Sequence, residues 1–357
     1  MHLKNISLWS KGLGFLEPLS IQVIYFNIDL ILKKYKNGCV IMKLMKAVQI
    51  NAPGGDFELV QREIPEPAEG QVRIKVSACG VCRGDDIVKQ GGNYPGIEYP
   101  RIPGHEIIGV IDKLGTGVSD YPIGQRVGVG WPAGITYDGG FAEYMVTSAQ
   151  ELVQIPKELN EIEAAPLLCA GVTTFDALRN SGAKPGDVVA IQGIGGLGHL
   201  AIQYAEKMGF QTVAISRGTY KQALAEKLGA QVFINTDISD AAEKLQQLGG
   251  AKVILLTAPS NKIVSNLVNG LGLEGKLIIV AGIDEPIQIF SGPLLAGRRS
   301  IQGWVPPFGP KAKKETMDFS LLTNVRPMIE TFPLEQITLA YEKMMNAKVH
   351  FRAVLTI

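Results

Sequence analysis

A short apolar strand that runs straight into a glycine turn constrains this chain more than any other feature. Ala190-Ile191-Gln192-Gly193-Ile194-Gly195-Gly196-Leu197-Gly198 carries the pattern Gly-x-Gly-x-x-Gly. Alone that pattern is weak; here it closes a buried-strand pattern and opens a helical one, the context in which it holds a dinucleotide. Gly193 permits the tight turn, Gly195 lets the backbone approach a pyrophosphate, and Gly198 lets helix and strand pack closely. With Gly196 and Leu197 they form the helix N-terminus, whose free N–H groups and positive dipole end suit phosphates.

The flanking pattern agrees with that turn. Residues 163–181 show helical spacing of apolar residues. Strand patterns at 187–192, 211–216, 231–234, 251–256 and 276–281 then alternate with helical ones at 198–208, 221–228, 241–248 and 263–271. This alternation predicts an α/β fold with a doubly wound parallel sheet covered on both faces. Upstream, short strands at 46–51, 58–63 and 71–78, with further β-rich stretches at 101–114, 126–130 and 140–146, predict a partly closed barrel. From about Ser300 the chain returns to short strands plus one helix at 334–345. The expected division is a β-rich domain from 45–165 and 300–357, and a cofactor domain from 166–299. Residues 1–44, which lack Ala, Arg and Thr, read as a dispensable extension, with Met42 or Met45 the working start.

Bulk properties exclude several classes. A chain of 357 residues accommodates two ordinary domains. A net charge of +1 gives no field to attract nucleic acid or an acidic membrane, and no run of eighteen apolar residues predicts a membrane span. Four cysteines, Cys39, Cys79, Cys82 and Cys169, are too few for a disulfide scaffold, so a reducing, cytoplasmic setting is expected.

The strand after the glycine turn bears on which dinucleotide fits. An NAD-binding chain usually places Asp or Glu about 20 residues on, to hold the ribose 2′-hydroxyl. Here Thr212-Val213-Ala214-Ile215 ends in Ser216-Arg217. Arg217 can fork onto a 2′-phosphate, with Ser216 and Lys221 adding contacts, so NADP(H) is expected over NAD(H).

Three motifs carry metal chemistry: Cys79-Gly80-Val81-Cys82-Arg83-Gly84-Asp85, Gly104-His105-Glu106 and Leu168-Cys169-Ala170-Gly171. A catalytic zinc needs three protein ligands and one open position, and two cysteines with one histidine from separate loops fit that count. Together with the glycine turn, these motifs make the sequence from Met45 to Ile357 resemble the zinc-containing alcohol dehydrogenases of the medium-chain dehydrogenase/reductase family. The resemblance implies a GroES-like catalytic domain beside a Rossmann domain. It implies zinc on Cys82, His105 and Cys169, with Glu106 able to join the metal and Asp85 orienting His105. It also implies that Arg83 and Arg352 reach the cofactor pyrophosphate and that Thr173 lies beside the nicotinamide. The implied reaction is hydride transfer between an alcohol/carbonyl pair and the cofactor, with a small-molecule substrate and a homo-oligomeric state, dimer or tetramer.

Two departures stand out. Position 84 is Gly where many relatives carry the Ser or Thr that begins the proton relay. The four-cysteine lobe of many relatives is missing, since Trp131 runs directly into Pro132-Ala133-Gly134-Ile135-Thr136-Tyr137-Asp138-Gly139-Gly140. One catalytic zinc and no structural zinc are therefore expected. Cys79 reads as a buried neighbour rather than half of a redox pair, and His199 as a helix-surface residue. Trp131 and the 304–308 segment are candidates to border the substrate pocket. A zinc-free quinone-type reductase and a catalytically decayed dinucleotide binder are the competing readings.

Overall fold

The structure, a computed structural model, describes residues 43–357 apart from Asn93, Pro259, Ser260, Ile283 and Asp284; the extension at 1–44 therefore lies almost wholly outside the described residues. Strands β1 (Leu44–Gln49), β2 (Glu58–Glu63), β3 (Gln71–Val81), β4 (Ile107–Leu114), β5 (Arg126–Val129), β6 (Tyr144–Ser148) and β7 (Val153–Gln154) come first. Strands β8 (Val188–Gln192), β9 (Gln211–Ser216), β10 (Val232–Asn235), β11 (Ala251–Leu256), β12 (Leu271–Ile279) and β13 (Ser300–Gly303) follow, and β14 (Ile329–Pro333) and β15 (Arg352–Thr356) close the chain.

The six middle strands form one sheet in the order β10-β9-β8-β11-β12-β13, and every pairing in it is parallel. Renumbered within the sheet this is 3-2-1-4-5-6, the doubly wound dinucleotide-binding order, whose switch point lies beside its first strand. Strand β8 is buried along its whole length, as a central parallel strand must be. The second large sheet runs β14-β15-β3-β4-β5-β7, with β6 also paired to β3. It is antiparallel except for β14 with β15. The last two strands thus bring the end of the chain back onto β3, which leads into the first metal motif.

One buried cluster runs unbroken between the two sheets. It contains Ala78, Ile108 and Val354 from the β-rich part, Leu167, Leu168 and Phe175 from the connecting helices, and Val189, Ile191 and Leu200 from the parallel part. The two parts therefore share one apolar core.

Two helices differ from the sequence expectation. The helical stretch at 163–181 is broken into Glu161–Ala164, a tight turn at Ala165–Leu168, and Ala170–Arg179. Pro166 starts the tight turn, and Cys169 sits at the junction with φ −127° and ψ −74°, outside helical geometry. Where only short strands were expected, Pro310–Thr323 forms the longest helix described. Its apolar positions are too scattered for a clear period, but Gly309 at φ +95° followed by Pro310 is a legible helix start.

The glycine turn has the packing its sequence implies. A Cβ on Gly198 would overlap the Gly193 carbonyl oxygen, whereas a Cβ on Gly195 would meet nothing within 4 Å. Gly198 is thus needed for helix-to-strand packing, and Gly195 presents an open backbone. Gly198→Ala should cost about 2 kcal/mol or more through this backbone overlap. Gly195→Ala should leave stability nearly unchanged while weakening dinucleotide binding; thermal unfolding and cofactor titration of the two variants test the contrast.

Candidate metal centre and cofactor cleft

The ligand atoms of Cys82, His105, Glu106 and Cys169 all lie within 4.8 Å of one another, and this is the one cluster of its kind among the described residues. Each reaches the centre for a local reason. Cys82 follows β3 directly and caps the tight turn Arg83–Asp85. The non-helical junction at Cys169 brings its thiol to 3.7 Å from Cys82 Sγ. Glu106 lies against Gly80, where any Cβ would overlap its carboxylate, so the glycine in Cys-Gly-Val-Cys makes room for an acid.

Asp85 organises two of the ligands. Its Oδ2 accepts from the Cys82 amide at 2.9 Å, and its Oδ1 lies 2.9 Å from His105 Nδ1. The carboxylate and the imidazole are both fully buried. A carboxylate acceptor places the proton on Nδ1 and leaves Nε2 with a free lone pair, the tautomer a metal requires. His105 Nε2 is buried with no hydrogen-bond partner in the protein, and so is Glu106 Oε2. Two orphaned buried acceptors beside two thiols form a donor set that suits a divalent cation.

The protonation pattern points the same way. The hydrogen bond from the Cys169 thiol holds Cys82 well below the ordinary thiol range against its burial, and that same pairing raises Cys169. Burial opposes charge on His105, yet the negative charges of Asp85 and Cys82 hold its pKa well above normal. Burial pushes Glu106 up to about 7 even though Arg352 opposes the shift. These groups are competing for protons in a space where one cation would satisfy them together.

The other expected site residues fall into three groups. Arg83 is exposed and Thr173 half-buried on the first turn of its helix, its amide bonded to the Cys169 carbonyl at 2.9 Å. Arg352 is buried and paired with Glu106, and its guanidinium lies 2.9 Å from where a Cβ on Gly196 would be. It therefore spans the gap between the metal cluster and the glycine turn. At the end of β9 Ser216 is half-buried and Arg217 exposed, while Lys221 donates to the Ile194 carbonyl at 2.6 Å. Lys221 thus holds the glycine turn. Asp237, just past β10, accepts from the Gly218 amide at 2.8 Å.

Gly84 has a steric reason. Its Cβ would lie 3.0 Å from His105 Cε1 and 3.4 Å from Trp131 Cζ3. Trp131 packs edge-on against His105 with centroids 5.2 Å apart, and its indole donates to Tyr94 Oη at 3.0 Å. In place of the missing lobe, Gly134 and Gly139 press backbone to backbone on Gly104. Trp304 donates to Asp176 at 2.9 Å and packs on the shared core. Cys79 is fully buried, and burial raises its thiol well above the usual range, as befits an inert neighbour.

Sequence reasoning missed two buried groups. His199, expected on a helix surface, is wholly buried, and burial pushes its pKa down to about 3. Lys313, on the unexpected helix, is also buried, its ammonium 3.2 Å from the Gly309 carbonyl and 3.5 Å from that of Trp131.

Comparison with known proteins places this geometry. Family models match the alcohol dehydrogenase GroES-like domain over residues 68–157 and the zinc-binding dehydrogenase domain over residues 196–320. The alcohol dehydrogenase notN of an Aspergillus species is 39% identical over 313 residues, 81% of this chain and 91% of that protein. An alcohol dehydrogenase of Geobacillus stearothermophilus is 36% identical over 340 residues, 87% of this chain and 98% of the relative. Among solved structures, the Helicobacter pylori CAD complexed with NADP(H) has a TM-score of 0.76 at 25% identity, covering 88% of this chain and 99% of that one. The chain belongs to the medium-chain dehydrogenase/reductase family, and its reaction is that of an alcohol dehydrogenase, interconverting an alcohol and a carbonyl compound.

Two measurements test the site. Asp85→Asn should weaken metal retention about 10- to 100-fold in a chelator competition, because it disturbs two ligands at once; unchanged retention would remove Asp85 from its role. His199 is neutral when folded but takes up a proton near pH 6.5 when unfolded. The unfolded state therefore binds more protons between pH 6.5 and about 3, and stability falls as pH drops through that window. Its share approaches about 1.4 kcal/mol per pH unit. Denaturant midpoints over that range should flatten in His199→Gln relative to the parent.

Proposed function

We propose that this chain is a zinc-dependent alcohol dehydrogenase, acting as an aldehyde reductase in the opposite direction, with one zinc per chain and NADP(H) preferred over NAD(H). The observation that carries the metal is the buried, partnerless His105 Nε2 beside two thiols and an acid. Cys82, His105 and Cys169 would hold the ion, with Glu106 free to join or leave because Arg352 offers its carboxylate a second partner. Bound zinc would supply Lewis acidity at the substrate oxygen, and the nicotinamide would supply or receive the hydride.

The protein's own groups do the rest. The glycine turn cradles the pyrophosphate on backbone amides, and Arg352 adds a cation beside Gly196. Trp131 walls the metal on the His105 side and excludes water there. Ser216 and Arg217 stand at the end of β9, where a 2′-phosphate would lie, with no acid at either position to repel it. A cytoplasmic setting would keep both metal-binding thiols reduced. The described residues contain no helix long and apolar enough to cross a membrane.

Metal analysis of the full chain beside Cys169→Ser is the deciding experiment. About one zinc per chain in the parent and little in the variant is expected; well-folded parent without zinc would instead favour a zinc-free reductase, and zinc without turnover on any alcohol or aldehyde a decayed binder. For the cofactor, Arg217→Asp should lower kcat/KM for NADPH about 10- to 100-fold by removing a charged contact and adding a repulsive one. Loss for NADPH with no relative gain for NADH would sink the assignment of Arg217.

A further inference from the structure

We propose that His199 is a positioning residue that presets the dinucleotide cradle and fixes it to the strand carrying Arg352. This rests on the reading of the glycine turn as a dinucleotide site. His199 Nδ1 lies 2.9 Å from the Gly195 carbonyl, and its Nε2 lies 3.1 Å from the Met328 amide. A carbonyl can only accept and an amide only donate, so these partners fix the tautomer: Nδ1–H donates and Nε2 accepts. The imidazole is thus spent on two backbone groups, one in each part of the protein.

The consequence reaches from the glycine turn to the Cys/His/Glu cluster. The Met328 carbonyl accepts from the Arg352 amide at 3.1 Å, and the Arg352 side chain pairs with Glu106 in the metal cluster. A continuous path therefore runs from Gly195 through His199, Met328 and Arg352 to Glu106. At the cradle itself, Lys221 holds the Ile194 carbonyl while His199 holds that of Gly195. In a trans peptide the C=O and the following N–H point in opposite directions. Holding those two carbonyls fixes the two peptide planes and with them the direction of the Gly195 and Gly196 amides, next to the open space at Gly195 and the Arg352 guanidinium at Gly196. Phe351 supports both holding side chains. Its ring stacks on His199 at 5.0 Å and lies 5.7 Å from the Lys221 ammonium, while its own backbone takes a φ of +73°, a costly choice for an aromatic residue. Burial keeps the imidazole neutral, so Nε2 remains an acceptor across the physiological range.

The test compares His199→Leu, His199→Gln and Gln203→Leu in the metal-loaded full chain. Gln203 lies one turn further along the same helix and ties it to both backbone groups of Arg326 without touching the glycine turn. Binding is measured for NADPH and for 2′-AMP, which has no pyrophosphate. His199→Leu should weaken NADPH about tenfold and leave 2′-AMP unchanged, since one cradle contact is worth about that factor. His199→Gln, which keeps a donor and an acceptor, should recover most of the affinity. Gln203→Leu should lower stability with little effect on NADPH. If His199→Leu does not fold, His199→Asn, polar but too short to span both partners, carries the same comparison. Parent-like NADPH binding in the variant, or equal weakening of both ligands, would overturn the proposal as a positioning effect. A parent chain that binds 2′-AMP but not NADPH would overturn the cradle reading itself.

Discussion

The carboxylate of Asp85 is the interaction on which the cluster of Cys82, His105, Glu106 and Cys169 depends. It is fully buried, and it bonds the backbone of one ligand and the ring of another. Burying a carboxylate is costly unless its oxygens are satisfied, and here each has a partner that a metal site also needs held still. The cost of burial is thereby offset by the same bonds that orient Cys82 and His105. Everything else at the centre adjusts around this fixed pair: Gly80 opens space for Glu106, and the broken helix delivers Cys169.

That arrangement explains why the fold uses two sheets with a common core. The ligands come from the end of β3, the loop before β4 and a helix junction, three places far apart in the chain. They converge to within 4.8 Å only because β3, β4 and the tight turn at Ala165–Leu168 pack together over one apolar floor. The parallel sheet meets the same floor through Val189 and Ile191, so the glycine turn that follows Ile191 starts from the core that also carries the Cys/His/Glu cluster.

Much of this was legible in the sequence, and what was not has physical causes. The alternation of strands and helices between 187 and 281 follows from buried parallel strands, which read as apolar runs, and the structure has those strands and helices with ends shifted by a few residues. The residues that the structure gathers into one cluster were visible because thiols, imidazole and acid are scarce and fall in short motifs. The long helix Pro310–Thr323 was missed because it buries Lys313 and Thr316 beside Ala312 and Met317, which erases the apolar period. His199 was misjudged for a related reason. Sequence gives a histidine's neighbours on its own helix, but the Met328 amide that bonds its Nε2 comes from 129 residues away. Local pattern cannot report a partner supplied by the tertiary fold.

Gly84 shows how such long-range packing reshapes a motif. In sequence it looks like the loss of a relay hydroxyl. In the structure the position is hemmed by the His105 ring and by Trp131, which is itself held by Tyr94. A Cβ there would press on the His105 ring at 3.0 Å with Trp131 in ordinary contact at 3.4 Å, so any larger residue at 84 has to fit against both rings. The missing lobe bears on the same spot: without it, the chain turns tightly after Trp131 and seats Gly134 and Gly139 on Gly104, the residue just before His105. Glycine at 84, tryptophan at 131 and the tight turn that follows it therefore pack together around His105 rather than standing as three separate departures.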